Sequence, residues 1–121
     1  MKGTDSLSNI KNKEYIDNIR ELTDCFINQI DPLKVILFGS FANGLYTKES
    51  DFDFYILVDD GCSVKNISFL AYKSIRDKMK RPVDIVVGTK SRFEQKQTQQ
   101  NSLMIESEVL KNGIVLYERA L

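Results

Sequence analysis

Residues 35–58 read VILFGSFANGLYTKESDFDFYILV, and the reading of this stretch decides the fold. Val35-Ile36-Leu37-Phe38 is a continuous apolar run, the pattern of a strand buried on both faces. It stops at Gly39-Ser40. Residues 41–50 read as a short helix or turn and then a loop containing Asn43-Gly44. A second strand follows from Phe52 to Val58, closed by the turn residues Asp59-Asp60-Gly61. Strand alternation sends Phe52, Phe54, Ile56 and Val58 to one side as core, and Asp51 and Asp53 to the other.

Upstream, Tyr15, Ile19, Leu22, Phe26 and Ile30 recur at steps of three or four and predict an amphipathic helix over 13–30. Asp31-Pro32 ends it, because proline disfavours helical geometry at the residue before it. Residues 1–12 are polar and read as a loose tail. Downstream, Ile67, Ala71, Ile75 and Met79 are spaced four apart on a second helix, which Arg81-Pro82 breaks before a third strand, Val83 to Val87. The glutamine-rich 94–102 fits either a solvated helix or a connection. Leu103, Ile105, Val109 and Leu110 return to helical spacing, Gly113 terminates that helix, and Ile114 to Tyr117 make a last strand. No repeat or linker divides the chain, so 1–121 is expected to be one domain of the α/β or α+β class.

Composition removes several chemistries. The chain has no histidine, which excludes Ser-His-Asp triads, Cys-His pairs and imidazole zinc sites. Two distant cysteines, Cys25 and Cys62, cannot complete a zinc-thiolate site and read as free thiols of a cytoplasmic protein. Lysine plus arginine and aspartate plus glutamate both number 17, so the chain lacks the field that grips nucleic acid or anionic lipid at large. No apolar run is long enough to span a membrane.

Three features carry chemistry. Asp51 and Asp53 lie side by side at one end of a strand, where each raises the other's pKa unless a cation neutralises them. A hard divalent ion beside phosphate is the natural partner for such a pair. Asp84 interrupts the apolar run Val83 to Val87, and a charge there is unfavourable unless paired or bound to metal. If the third strand neighbours the second, Asp84 joins the pair as a third carboxylate. Gly39-Ser40 permits close backbone approach and, at a helix start, presents N–H groups to an anion. An anion cradle opposite three carboxylates able to hold one or two divalent cations suits in-line displacement at phosphorus, as in nucleotidyl transfer.

Leu37-Phe38-Gly39-Ser40, ten residues, then Asp51-Phe52-Asp53, with Asp84 on a later strand, resembles the DNA polymerase β-like nucleotidyltransferase superfamily, and its stand-alone minimal nucleotidyltransferases above all. The closing Gly113-Ile114-Val115-Leu116-Tyr117-Glu118 also resembles the usual ending of that group. The resemblance implies an α+β fold of two layers, a small mixed sheet with helices on one face. It implies Mg2+, and an NTP, most often ATP, as nucleotide donor. Gly39 and Ser40 would bind the β- and γ-phosphates. Asp51 and Asp53 would ligate both metals, and Asp84 would ligate the catalytic one and help activate the attacking hydroxyl. One position departs from the pattern: Asn43 stands where many members carry arginine, which counts against triphosphate affinity but not against metal binding. Lys48, Lys73 and Lys80 are the candidates to compensate.

Larger relatives carry extra domains for base and acceptor, so here the acceptor is expected on a partner chain or on a second copy of this one. Minimal nucleotidyltransferases of this kind often act as antitoxins of small all-helical HEPN-domain ribonucleases, transferring AMP to a toxin tyrosine. The expected function is therefore Mg-dependent AMP transfer from ATP to a protein hydroxyl. The alternatives are nucleotidylation of a small hydroxylated molecule, as in aminoglycoside-modifying relatives, and a catalytically inactive partner-binding module.

Overall fold

The computed structural model describes residues 7–97 and 105–120. Its elements run α1 (Lys13–Ile30), β1 (Lys34–Phe38), α2 (Ser40–Asn43), β2 (Phe52–Val58), α3 (Val64–Ile75), β3 (Val83–Thr89), α4 (Lys90–Gln97), α5 (Ile105–Asn112) and β4 (Ile114–Glu118). The four strands form one mixed sheet in the order β3-β2-β1-β4. β1 is antiparallel to β2 and to β4, whereas β2 and β3 are parallel. This is the α+β architecture expected.

Local chemistry explains where the helices start and stop. Asn12 caps α1, its side-chain oxygen accepting from the Glu14 and Tyr15 N–H groups at 2.8 and 3.4 Å. Asp31 ends the helix in the left-handed conformation, at φ 54°, as the residue before Pro32 must leave helical geometry. Ser63 caps α3 through the Asn66 N–H at 3.3 Å.

The core lies in two layers. On one face of the sheet, Val35, Leu37, Phe52, Phe54, Ile56 and Val58 pack against Ile19, Leu22 and Phe26 of α1 and Ala71 and Ile75 of α3. Phe26 meets Phe54 edge-on with centroids 5.1 Å apart. On the other face, Ile36, Phe38, Tyr55 and Leu57 pack against Phe93 of α4 and Val109 of α5. The α1–α3 layer is the one expected; α4 and α5 add cover to part of the opposite face. That is why β1 and β2 are apolar at consecutive positions.

Leu7 and Ile10, inside the stretch read as a loose tail, are 1% and 2% exposed and belong to the main core. Two apolar residues three apart, brought together by a turn in which the Ile10 N–H bonds the Leu7 carbonyl at 3.0 Å, are too short a signal to stand out among polar neighbours. α3 ends at Ile75, so Met79 lies beyond it and is 36% exposed. Within 94–102, residues up to Gln97 continue α4; the remainder of that segment, and Leu103, lie outside the described residues.

Gly88 holds the second layer in register. A Cβ there would stand 1.9 Å from the Tyr55 hydroxyl oxygen. That hydroxyl donates to Glu106 Oε2 at 2.8 Å, and both side chains are buried. Gly88→Ala must push the phenol off its partner and leave a buried carboxylate short of a donor. The expected loss is about 3 kcal/mol, combining overpacking with a broken buried hydrogen bond. Urea denaturation checks it; a change below about 1 kcal/mol would mean the Tyr55 ring moves freely.

Candidate active site

The sheet brings three chain segments together at one corner. β1 ends where β2 and β3 begin, so Phe38 pairs with Asp53 and Asp53 pairs with Asp84. Register neighbours on adjacent strands put their side chains on the same face, so the Asp53 and Asp84 carboxylates project side by side. Asp51 sits one residue ahead of β2, partly buried. Phe52 and Phe54, fully buried on the opposite face, hold Asp53 facing outward. Asp84 is exposed and Asp53 half-buried.

Gly39 closes the corner from the β1 side. Its φ of 73° and ψ of −155° lie outside the range that L side chains readily adopt. A Cβ there would lie 2.1 Å from Asp53 Oδ2. Both facts require glycine. The backbone then turns into α2, whose single helical turn is held by the Gly39 carbonyl accepting from the Ala42 and Asn43 N–H groups at 3.0 and 3.1 Å. The opening N–H groups of a helix have no carbonyl partner within it, and here they belong to the residues that follow Gly39 beside the carboxylates.

The electrostatics follow from this crowding. Burial, then the negative charges of Asp84 and Asp51, then a hydrogen bond with Asp84 push the Asp53 carboxyl up to about 6, from its ordinary 3.8. Among the described residues no ion pair joins a lysine or arginine to Asp51, Asp53 or Asp84. Lys48, Lys73 and Lys80 are all exposed. Asn43 is exposed as well, and its side-chain oxygen is occupied by the Leu45 N–H at 3.0 Å.

Among the described residues, no group of three histidine, cysteine, aspartate or glutamate side chains is placed to hold a metal ion as it stands. The donor set nevertheless fits a hard divalent cation: every candidate ligand is a carboxylate oxygen, and the crowding that raises the Asp53 pKa is what such an ion would relieve. A cleft of about 610 Å3 lies elsewhere, along α1, lined by residues that include Asp17, Glu21, Asp24, Lys78 and Lys80. Its wall mixes both signs of charge and contains none of the three aspartates.

Two parts of the surroundings carry no sequence signal at the level of single residues. The Arg81 side chain donates from Nη1 to the Ser50 carbonyl at 2.8 Å and to the Lys48 carbonyl at 3.3 Å. The Tyr55–Glu106 bond lies on the same sheet face as Asp53, and Arg92 stands 3.9 Å from Glu106. Arg81 precedes a proline and Glu106 lies in a run of polar residues, so both read as surface.

The family model described as "Nucleotidyltransferase domain" matches residues 10–116. Among solved structures, a candidate nucleotidyltransferase from Sulfolobus solfataricus is 21% identical with a TM-score of 0.52, the match covering 91% of this chain and 92% of that one. The Cid1 poly(U) polymerase with MgGTP bound is 19% identical with a TM-score of 0.50, covering 66% of this chain and 32% of that one. At these identities the two structures show a shared fold. No curated protein matches the sequence.

The raised Asp53 pKa has a consequence for stability. Because the folded value lies above the unfolded one, ionised Asp53 destabilises the cation-free fold near neutral pH. The penalty fades as pH falls from about 7 toward about 4, where the folded chain holds a proton that the unfolded chain does not yet bind. Asp53→Asn should therefore stabilise the cation-free protein at about pH 7.5 by about 1 kcal/mol, a value discounted for solvent screening of a partly exposed group. The gain should vanish near pH 4. Paired urea melts in chelator check it, and a pH-independent difference would refute carboxylate repulsion as the cause.

Proposed function

We propose a reaction for this chain from one premise: it belongs to the nucleotidyltransferase domain family, and nucleotidyl transfer is its chemistry. In its finer form the reading is Mg2+-dependent transfer of AMP from ATP to a hydroxyl of a partner protein, in the cytoplasm. The partner we favour is a small all-helical protein of the HEPN type, with this chain as the antitoxin of the pair. The observation that carries the nucleotidyl-transfer core of this reading is the contact of Gly39 with Asp53. It fuses the turn that receives phosphate with the carboxylates that hold cation, leaving no gap between the two functions.

Asp51, Asp53 and Asp84 are the residues that would hold Mg2+. When bound, the ion neutralises their mutual repulsion and polarises the phosphate oxygens. The N–H groups at Gly39 and Ser40 orient the β- and γ-phosphates, on a turn whose missing Cβ lets the Asp53 carboxylate approach. Asp84, the most exposed of the three, accepts the proton of the attacking hydroxyl. The hydroxyl oxygen then forms a bond to the α-phosphorus, the bond from that phosphorus to the bridging oxygen breaks, and pyrophosphate leaves.

A macromolecular acceptor is supported by what borders the corner. Leu45 is 77% exposed, and its N–H bonds the Ser40 carbonyl at 3.1 Å. An apolar side chain left open beside a phosphate turn suits contact with another protein more than with a small polar sugar. Cys25 and Cys62 are free thiols, in keeping with a reducing compartment. No helix among the described residues is long and apolar enough to cross a membrane.

Transfer of label from α-labelled ATP to a co-purified partner tests the reading. Asp84→Asn is expected to lose about 100- to 10,000-fold in rate, the range for a removed general base. Asp53→Asn should fall at least as far. Gly39→Ala should follow them, since its methyl group would displace the Asp53 carboxylate. Undiminished transfer in either aspartate variant would overturn these roles. Labelling of small hydroxylated molecules without any partner would select a different acceptor class.

A further inference from the structure

We propose that Arg81, acting with Pro82, is a positioning residue that splints Asp51 at a fixed place relative to Asp84; this deepens the functional reading above and rests on it for the role of Asp51. Asp51 precedes β2 and has no ladder partner of its own, so something other than the sheet must fix it. The two peptide groups that flank its Cα are both held by the same dipeptide. The Ser50 carbonyl, which belongs to the peptide just before Asp51, accepts from Arg81 Nη1 at 2.8 Å. The Phe52 N–H, which belongs to the peptide just after it, donates to the Pro82 carbonyl at 3.2 Å. Arg81 and Pro82 lie three and two residues ahead of Asp84 on the same stretch of backbone. The spacing between the two carboxylates is thereby set by one short segment.

Arg81 is itself immobilised. Its guanidinium carbon lies 4.3 Å from the centre of the Tyr15 ring, 5.0 Å from that of Phe52 and 5.2 Å from that of Phe41. These rings come from α1, β2 and α2, and Phe41 follows Gly39-Ser40 directly. Tyr46 stacks on Phe41 at 4.5 Å, closing the group from the loop side. The guanidinium therefore ties the phosphate turn, the Asp51 loop and the start of β3 to one another. Within the loop, Thr47 and Ser50 bond each other, the Thr47 N–H donating to the Ser50 hydroxyl at 2.9 Å and the Ser50 N–H to the Thr47 carbonyl at 3.1 Å. That turn shapes the loop but attaches it to nothing else. Tyr46 anchors the early part of the loop, and Arg81 attaches its end through the Lys48 and Ser50 carbonyls.

Lysine cannot replace it. The planar guanidinium rests on three aromatic rings while its Nη1 reaches both carbonyls, whereas an ammonium is a compact, strongly hydrated point charge that does not stack. Arg81→Lys keeps the charge and loses the planar group stacked on the rings, which separates positioning from electrostatics.

Three measurements on the full chain decide the matter. Residue-level amide exchange of Arg81→Lys should show protection at Phe52 falling at least about tenfold, with Leu37 and Ile36 of β1 unchanged. Titration with Mn2+ alone, followed by calorimetry, should show binding weakened about tenfold; in turnover, KM for ATP should move less than about twofold and excess Mn2+ should restore most of kcat. Tyr15→Leu, which removes one ring and leaves both carbonyl bonds, should give the same pattern at smaller size and guards against a folding defect in the first variant. Unchanged exchange at Phe52, or Mn2+ affinity within about twofold of wild type, overturns the splint, as does equal loss of ATP and metal affinity. Wild-type protein that takes up no Mn2+ overturns the functional reading instead, and the exchange result then decides the splint alone.

Discussion

Two carboxylates held side by side against their own repulsion are the constraint on which the rest of this structure depends. Asp53 and Asp84 are register partners on parallel strands, so neither can turn away without slipping a strand. Slippage would carry Phe52, Phe54, Ile56 and Val58 off the core, each of them nearly or fully buried. Burial of such side chains contributes roughly 1.5–3 kcal/mol apiece, which outweighs the repulsion of one partly solvated acidic pair. Hydrophobic burial thus keeps an electrostatically unfavourable pair in place.

The two-sided core sets what surrounds the aspartate corner. α4 and α5 cover the far end of the second face through Phe93, Val109 and the Tyr55–Glu106 bond. Tyr55 is two residues along β2 from Asp53 and projects on the same face, so the packed floor begins one step from the carboxylates. Burial and the Glu106 carboxylate together push the Tyr55 hydroxyl above its ordinary range, which keeps it a neutral donor.

Arg81 answers a different need. Strands fix Asp53 and Asp84, but a group on the approach to a strand has only loop geometry to hold it. An arginine flanked by rings from three elements, and bonded to loop carbonyls, gives the approach to β2 the rigidity that the ladder gives the rest. Asn43 has no part in this; its oxygen serves the turn that leads to Leu45.

Much of this was legible in the sequence. The periodicity of Ile19, Leu22 and Phe26, the unbroken run Val35 to Phe38 and the alternation from Phe52 to Val58 are local patterns, and local patterns encode helices, strands and the side each residue faces. The same locality made Gly39-Ser40 and the Asp51-Phe52-Asp53 triplet stand out. Only the tertiary structure decided the long-range facts: that β3 lies parallel beside β2 with Asp84 opposite Asp53, that Leu7 and Ile10 enter the core, and that Glu106 is buried under a tyrosine 51 residues away. Arg81, 31 residues from Ser50, belongs with them. Such contacts depend on how the chain folds back on itself, and the identity of a single arginine or glutamate carries no record of the partner that packing will bring to it.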